Sequence, residues 1–196
     1  MKNGLSKIIR IITLPPVIAL AALLTLWFVK GFFNTSWELI VGIVCLTVLP
    51  SLAYAVQPLV KSLRQNKREG QRKLAVIFSV AGYLICNLVA WFTPSTDKLK
   101  IFYLTYLLSA TAIFLYGKCF GIKCSGHASG LCGPIAFLGC FVNVWILFAE
   151  ILIIPLIWAS TNIKRHSIAE MALGALVPVV SMALSFIVFG VLPHVA

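Results

Sequence analysis

Apolar runs near the twenty residues that a membrane-crossing helix needs alternate with short polar or basic stretches along the whole chain. A basic head (Lys2, Lys7, Arg10) precedes a first span over about Ile11 to Phe33. There Pro15 and Pro16 suit a helix entry, because a missing N–H costs little in the first turn. After the polar break 34–36, a second span runs from about Trp37, an interfacial aromatic, to Val60, and Pro50 and Pro58 are placed to kink or end it. The most charged stretch, 61–73, comes next. Leu74 to Phe92 is a third span, whose 19 residues reach about 28 Å at the helical rise. A polar turn over 93–98 leads to a fourth span, about Leu99 to Gly117, and then to a basic, glycine-dotted loop at 118–130. The 29 apolar residues of 131–159 are long for one span and short for two. Gly139, Asn143 and Trp145 favour a hairpin of two helices, about Ser129–Val142 and Val144–Thr161. After 162–167 a last span covers about Ile168 to Gly190.

Seven crossings put the head and the loops 61–73, 118–128 and 162–167 on one side. That side then holds thirteen of the sixteen Lys and Arg residues, leaving Lys30, Lys98 and Lys100 on the other. The positive-inside rule places the thirteen, with the N-terminus, in the cytoplasm of a cell whose plasma membrane the chain crosses. A single long helix over 131–159 would instead send the last loop to the opposite face.

Composition agrees: 61% of residues are hydrophobic and 11% charged, against about 25% charged in soluble domains, with a mean hydropathy of +1.02. The expectation is all-α: one polytopic transmembrane helix bundle of six to seven spans over 1–196. A signal peptide is not expected, since apolar runs recur throughout and no small-residue cleavage site follows the first. The net charge of +11 would suit nucleic acid, but the cations lie in short clusters between apolar runs, so no nucleic-acid partner is expected. The six cysteines lie in or beside those runs, where thiols serve as small apolar residues, and no disulfide framework is read from them.

Chemistry concentrates at a few polar positions. Ser125-Gly126-His127, with Lys118 and Lys123 nearby, joins a hydroxyl, a glycine and an imidazole at an expected helix N-terminus, where free N–H groups and the dipole favour an anion. His127 there suits a proton donor to a leaving alkoxide. The same residues also suit a plain helix entry. His166, after Lys164 and Arg165, has Glu170 four residues on; on a helix that carboxylate can hold one ring nitrogen and leave the other as nucleophile or base. An interfacial helix start with snorkelling cations is the simpler reading of that stretch. The 61–73 loop contains Lys61-x6-Arg68, then Arg72 and Lys73.

These three elements, in this order, resemble the motifs of the type 2 phosphatidic acid phosphatase superfamily: Lys-x6-Arg-Pro, Pro-Ser-Gly-His and Ser-Arg-x5-His-x3-Asp. The resemblance covers about 61–178, including Arg68-Glu-Gly-Gln-Arg-Lys and Trp158-Ala-Ser-Thr-Asn-Ile-Lys-Arg-His, and is similar to a compact bacterial branch. It implies a phosphatidic acid phosphatase/haloperoxidase-like core and a membrane-bound phosphatase acting on a lipid phosphate of the isoprenyl or diacylglycerol type. It implies His166 as nucleophile, through a phosphohistidine, His127 as the acid, and Glu170, in place of aspartate, as the orienting carboxylate. It implies Ser125, Gly126, Lys61 and Arg68 as phosphate-binding groups, with Arg72 a rival to Arg68, and no metal or cofactor. Glu69 and Cys124 stand where the family has proline, and Ser160 stands where it has the third-motif arginine, a bidentate phosphate clamp. Along the chain, Arg165 and Lys164 are the nearest replacements.

Three other readings fit parts of the same sequence. A relative without catalysis, binding anionic lipid or a membrane partner, finds its best argument in Ser160. A zinc site at Cys119, Cys124, His127 and Cys132 lacks a standard spacing. Transport rests on Glu150 inside an apolar run, where a carboxylate often marks an ion path.

Overall fold

The structure is a computed structural model and describes residues 2–60 and 67–190. Among the described residues it is all-α, without a strand. The first crossing is α1 (Lys2–Ile12) followed by α2 (Pro15–Trp27), with the break at Thr13–Leu14 where Pro15 and Pro16 take the first turn of α2. It begins at the head itself: the cations read as a head before the span stand on α1. The second crossing is α3 (Ser36–Ile43), a π-helical turn (Val44–Val48) and α4 (Leu49–Val56). Pro50 cannot donate to the carbonyl four residues back, and the helix widens just before it. Gly82 lies against the Cys45 carbonyl of that widened turn, where no Cβ would fit. Pro58 sits in the 3₁₀ turn Gln57–Leu59 that ends the crossing.

Then come α5 (Lys67–Phe92), α6 (Asp97–Cys119) and α7 (Gly126–Phe141). A 3₁₀ helix (Val144–Leu152) continues into α8 (Ile153–Asn162), and α9 (Ile168–Phe189) closes the described chain. Among the described residues, six stretches are long and apolar enough to cross a membrane: 4–27, 36–59, 70–92, 97–119, 144–162 and 168–189.

The apolar run 131–159 is a hairpin. α7 has 16 residues, about 24 Å, and turns at Val142–Asn143, where the Asn143 side chain accepts from Trp145 N at 2.9 Å. The returning limb gains height from its nine 3₁₀ residues, which rise about 2 Å each instead of 1.5. Pro155, which cannot donate to the Ile151 carbonyl, follows the change back to α. α7 is the central helix, buried along most of its length and shielded from lipid by its neighbours. Small residues admit them: Gly130 meets Pro15 of α2, Gly133 meets Pro178 of α9, and Gly139 meets Leu147 of the returning limb.

The two ends of the bundle differ. At one, Glu38 accepts from the Asn34 and Thr35 amides at 2.6 and 3.1 Å and from the Ser95 hydroxyl at 2.6 Å, and Thr96 donates to the Phe32 carbonyl at 2.6 Å. Phe32, Phe102, Phe137 and Phe141 pack beneath these turns. The other end holds α1, the start of α7 and the turn between α8 and α9. Between the ends the outer surface is apolar, with Leu24, Ile77, Leu88, Leu184 and Ile187 exposed. That is the surface of a bundle whose surroundings are hydrocarbon.

Candidate functional site

α1 is turned with its polar stripe inward. Ser6, Arg10 and Thr13, spaced by four and three residues, are buried, while Leu5, Ile8, Ile11 and Ile12 are exposed. The stripe packs on α8. The Ser6 hydroxyl accepts from the Asn162 side-chain amide at 3.0 Å, and Arg10 Nη1 donates to Ser160 Oγ at 2.7 Å. Arg10 is only 7% exposed and Ser160 is fully buried, so a guanidinium lies against the one position where the resemblance lacks its arginine.

Arg10 Nη2 also lies 3.4 Å from His127 Nδ1. A guanidinium only donates, so Nδ1 is the acceptor and the imidazole proton sits on Nε2. His127 stands in the first turn of α7, where amides have no acceptor within the helix. Desolvation by the packed helix ends, with the charges of Arg10, His166 and Arg165, pushes its pKa down to about 3. The ring is therefore neutral in the resting site.

Ser125 caps α7: its Oγ accepts from Ala128 N at 3.3 Å and is fully buried. Its own amide donates to the Glu170 carbonyl at 3.0 Å. That bond holds the start of α7 on the first turn of α9, and Gly174 makes it sterically feasible, because a Cβ there would collide with the Ser125 backbone. Gly126 is exposed, with open space beside its α-carbon.

The third piece comes from the α8–α9 turn. Lys164 adopts a left-handed φ of 52°, and Arg165 N donates back to the Ser160 carbonyl at 2.9 Å, which reverses the chain into α9. His166 Nδ1 donates to Glu170 Oε2 at 2.8 Å, leaving the Nε2 lone pair unencumbered by that bond. Glu170 also closes a capping box with Ser167, so it is fixed by the helix start that it helps to build. Desolvation lowers the His166 pKa; Glu170 opposes this, and Arg10 and Arg72 add to it.

The structure thus gathers His127, His166, Glu170, Arg165 and the buried cap Ser125 at one end of the bundle, with Arg72 of α5 within electrostatic reach of His166. Lys61 lies outside the described residues, and of Arg68 only the backbone, in α5, is described. Lys118 stacks its ammonium over Phe114, 5.9 Å from the ring centroid. Arg10 is the member that the chain order hid. Its signal was present as a Ser6–Arg10–Thr13 stripe on an otherwise isoleucine-rich helix, since a polar stripe in a membrane helix faces protein. Among the described residues no three of His, Cys, Asp and Glu are grouped to hold a metal ion. Glu150 is half-buried and faces the Cys132 thiol of α7.

Fold and site define an all-α, multi-pass membrane protein that collects two histidines, a carboxylate and a buried arginine at one end. No family model, curated protein or solved structure matches the chain.

Proposed function

We propose that this protein is a membrane-bound phosphatase of the type 2 phosphatidic acid phosphatase kind, hydrolysing the phosphomonoester of an isoprenyl or diacylglycerol-type lipid. The observation that carries the reading is the pairing of His166 with Glu170 at 2.8 Å, beside a second imidazole and an arginine brought from two other helices. Such a pair makes a nucleophile of an imidazole whose tautomer is fixed.

In this reading His166 Nε2 attacks phosphorus, an N–P bond forms, and the bond to the lipid oxygen breaks. His127 gives that oxygen its proton. Water then attacks the phosphohistidine, His127 recovers a proton from it, and inorganic phosphate leaves. A proton donor with a pKa near 3 in the resting site needs the substrate to charge it: the phosphate's negative charge offsets the nearby cations and raises that pKa. The N–H groups of the first turn of α7 and the Arg165 and Arg72 cations contribute to anion binding. In this reading the thirteen cations that the order of crossings assigns to one side turn that side to the cytoplasm of the plasma membrane. The lipid tail stays in the bilayer while its head group reaches the site.

Phosphate release from a panel of isoprenyl and diacylglycerol phosphates by the detergent-purified protein tests this. Wild type turns over at least one of them, and His166→Ala falls to background. A His166→Ala variant with wild-type turnover would remove His166 as the nucleophile. The alternative, a relative that only binds anionic lipid, predicts binding with no release for wild type across the panel. An arginine seated on Ser160 favours the catalytic reading over that one.

A further inference from the structure

We infer that the lipid-facing groove between α6 and α9 seats a hydrocarbon chain of the lipid whose phosphate the site takes. The inference rests on the phosphatase reading for the use made of that lipid, while occupancy of the groove is measured separately. Leu108, Ala112 and Leu115 of α6 line the groove with Leu173, Val177 and Leu184 of α9, around a volume of about 280 Å³. Leu115 and Leu184 are exposed on the outer surface, so the groove opens to the bilayer. Pockets that enclose a drug-sized ligand start near about 300 Å³, which leaves room here for one chain and none for its head group.

Position ties the groove to the site. Leu173 and Val177 follow Glu170 on α9 by three and seven residues, and helical pitch puts the three on one side. The groove therefore begins one turn below the carboxylate that holds His166 at 2.8 Å. On α6, Lys118 follows Leu115 by three residues and brings a cation to the same mouth. From Leu173 to Leu184 the helix rises about 16 Å, close to half of the roughly 30 Å of hydrocarbon in a bilayer. An apolar path one leaflet deep, with cationic and imidazole groups at its mouth, fits an amphiphile with an anionic head. A second groove, between α2 and the second crossing, is larger, about 400 Å³, but no histidine or carboxylate of the site stands on its helices. Hydrocarbon gains little by exchanging lipid for a protein groove, because both are apolar. What the α6–α9 groove supplies is position: a chain laid along α9 delivers its head to the turn that carries His166, and orientation of that kind lowers a barrier.

Photolabelling of the full-length protein in phospholipid vesicles tests the assignment without relying on turnover. The probes are a long-chain alkylphosphonate with a diazirine in its chain, whose C–P bond the site does not hydrolyse, and the matching alcohol. The phosphonate labels the segments 108–115 and 173–184 roughly tenfold above the alcohol, the scale of a charge-assisted contact to its head, and the two label the α2 groove alike. Equal labelling of the α6–α9 groove by both probes would mean that ordinary bilayer lipid covers it, and would overturn the inference. Ala112→Phe fills the groove and lowers phosphonate labelling there. Val180→Trp, at the exposed rim of the same groove, serves if Ala112→Phe does not fold, and Ile77→Trp, on the outer surface of α5, is the control that changes nothing. In turnover, either groove variant lowers kcat/KM for a long-chain alkyl phosphate relative to a short-chain one by about tenfold; an unchanged ratio in a folded variant counts against the groove. The two readings fail separately. Wild type that takes the phosphonate in the groove but releases phosphate from no lipid sinks the phosphatase reading alone, and wild type that turns over lipid phosphate but takes both probes equally sinks the groove alone.

Discussion

At His127 and His166 the same side chain acquires two different tasks from its neighbours. Glu170 takes the Nδ1 proton of His166 as a hydrogen bond and leaves Nε2 as a base, whereas Arg10 forces Nδ1 of His127 to accept and leaves Nε2 as a donor. The charges follow the same division. His127 faces Arg10 from α1 and Arg165 and His166 from the α8–α9 turn, and with desolvation they hold its pKa near 3. The sign of any change is then set. Removing a positive neighbour makes the imidazolium cheaper, so Arg10→Gln raises the His127 pKa, and an oxyanion bound in the site raises it too. Ring-proton NMR of His127 in detergent checks this: wild type without ligand shows no titration between pH 8 and 5, and vanadate or Arg10→Gln brings a titration into higher pH. A resting His127 titrating near 6.5, the ordinary imidazole value, would contradict the packed environment described for it.

Among the helices, α7 and α9 set the geometry on which those residues depend. The Ser125 amide on the Glu170 carbonyl joins the first turns of the two helices, and bare Gly174 admits the contact. Gly174→Ala is expected to cost about 1–3 kcal/mol, the usual range for overpacking, seen as a lower melting temperature, and to reduce phosphate release by moving His127 away from His166. Gly126→Ala, which faces open space, leaves the melting temperature unchanged. The α7 hairpin was legible from Gly139, Asn143 and Trp145, within a run of 29 apolar residues whose length alone is long for one crossing and short for two. The 3₁₀ limb was not: its origin lies in Pro155 and in the packing of Leu147 on Gly139, neither of which a hydropathy pattern carries. α1 was read as a basic head because its cations dominated its composition, yet its burial follows the spacing of Ser6, Arg10 and Thr13.

On the scale of the whole bundle, the hairpin returns the chain so that the start of α7 and the end of α8 meet at one end, as the contact of Arg10 with both His127 and Ser160 requires. Cys119 is the exposed cysteine among the six and lies at the C-terminus of α6, on the site end. In sealed, oriented vesicles a membrane-impermeant maleimide should label Cys119 from the cytoplasmic face, and Asp97→Cys, at the opposite end of α6, from the other face. Labelling of both from one face would refute the crossing of α6, and the reverse pattern would refute the orientation. The sequence by itself determined the membrane class, the run of apolar helices and the His166–Glu170 pair. Each of these is local: a span is a matter of composition over about twenty residues, and a pair four residues apart is set by helical pitch. The tertiary structure decided what Ser160 does. Its partner lies 150 residues away in the chain, and no local pattern specifies which buried faces of two helices meet. Only the packing of α1 against α8 seats an arginine on that serine and places it beside His127.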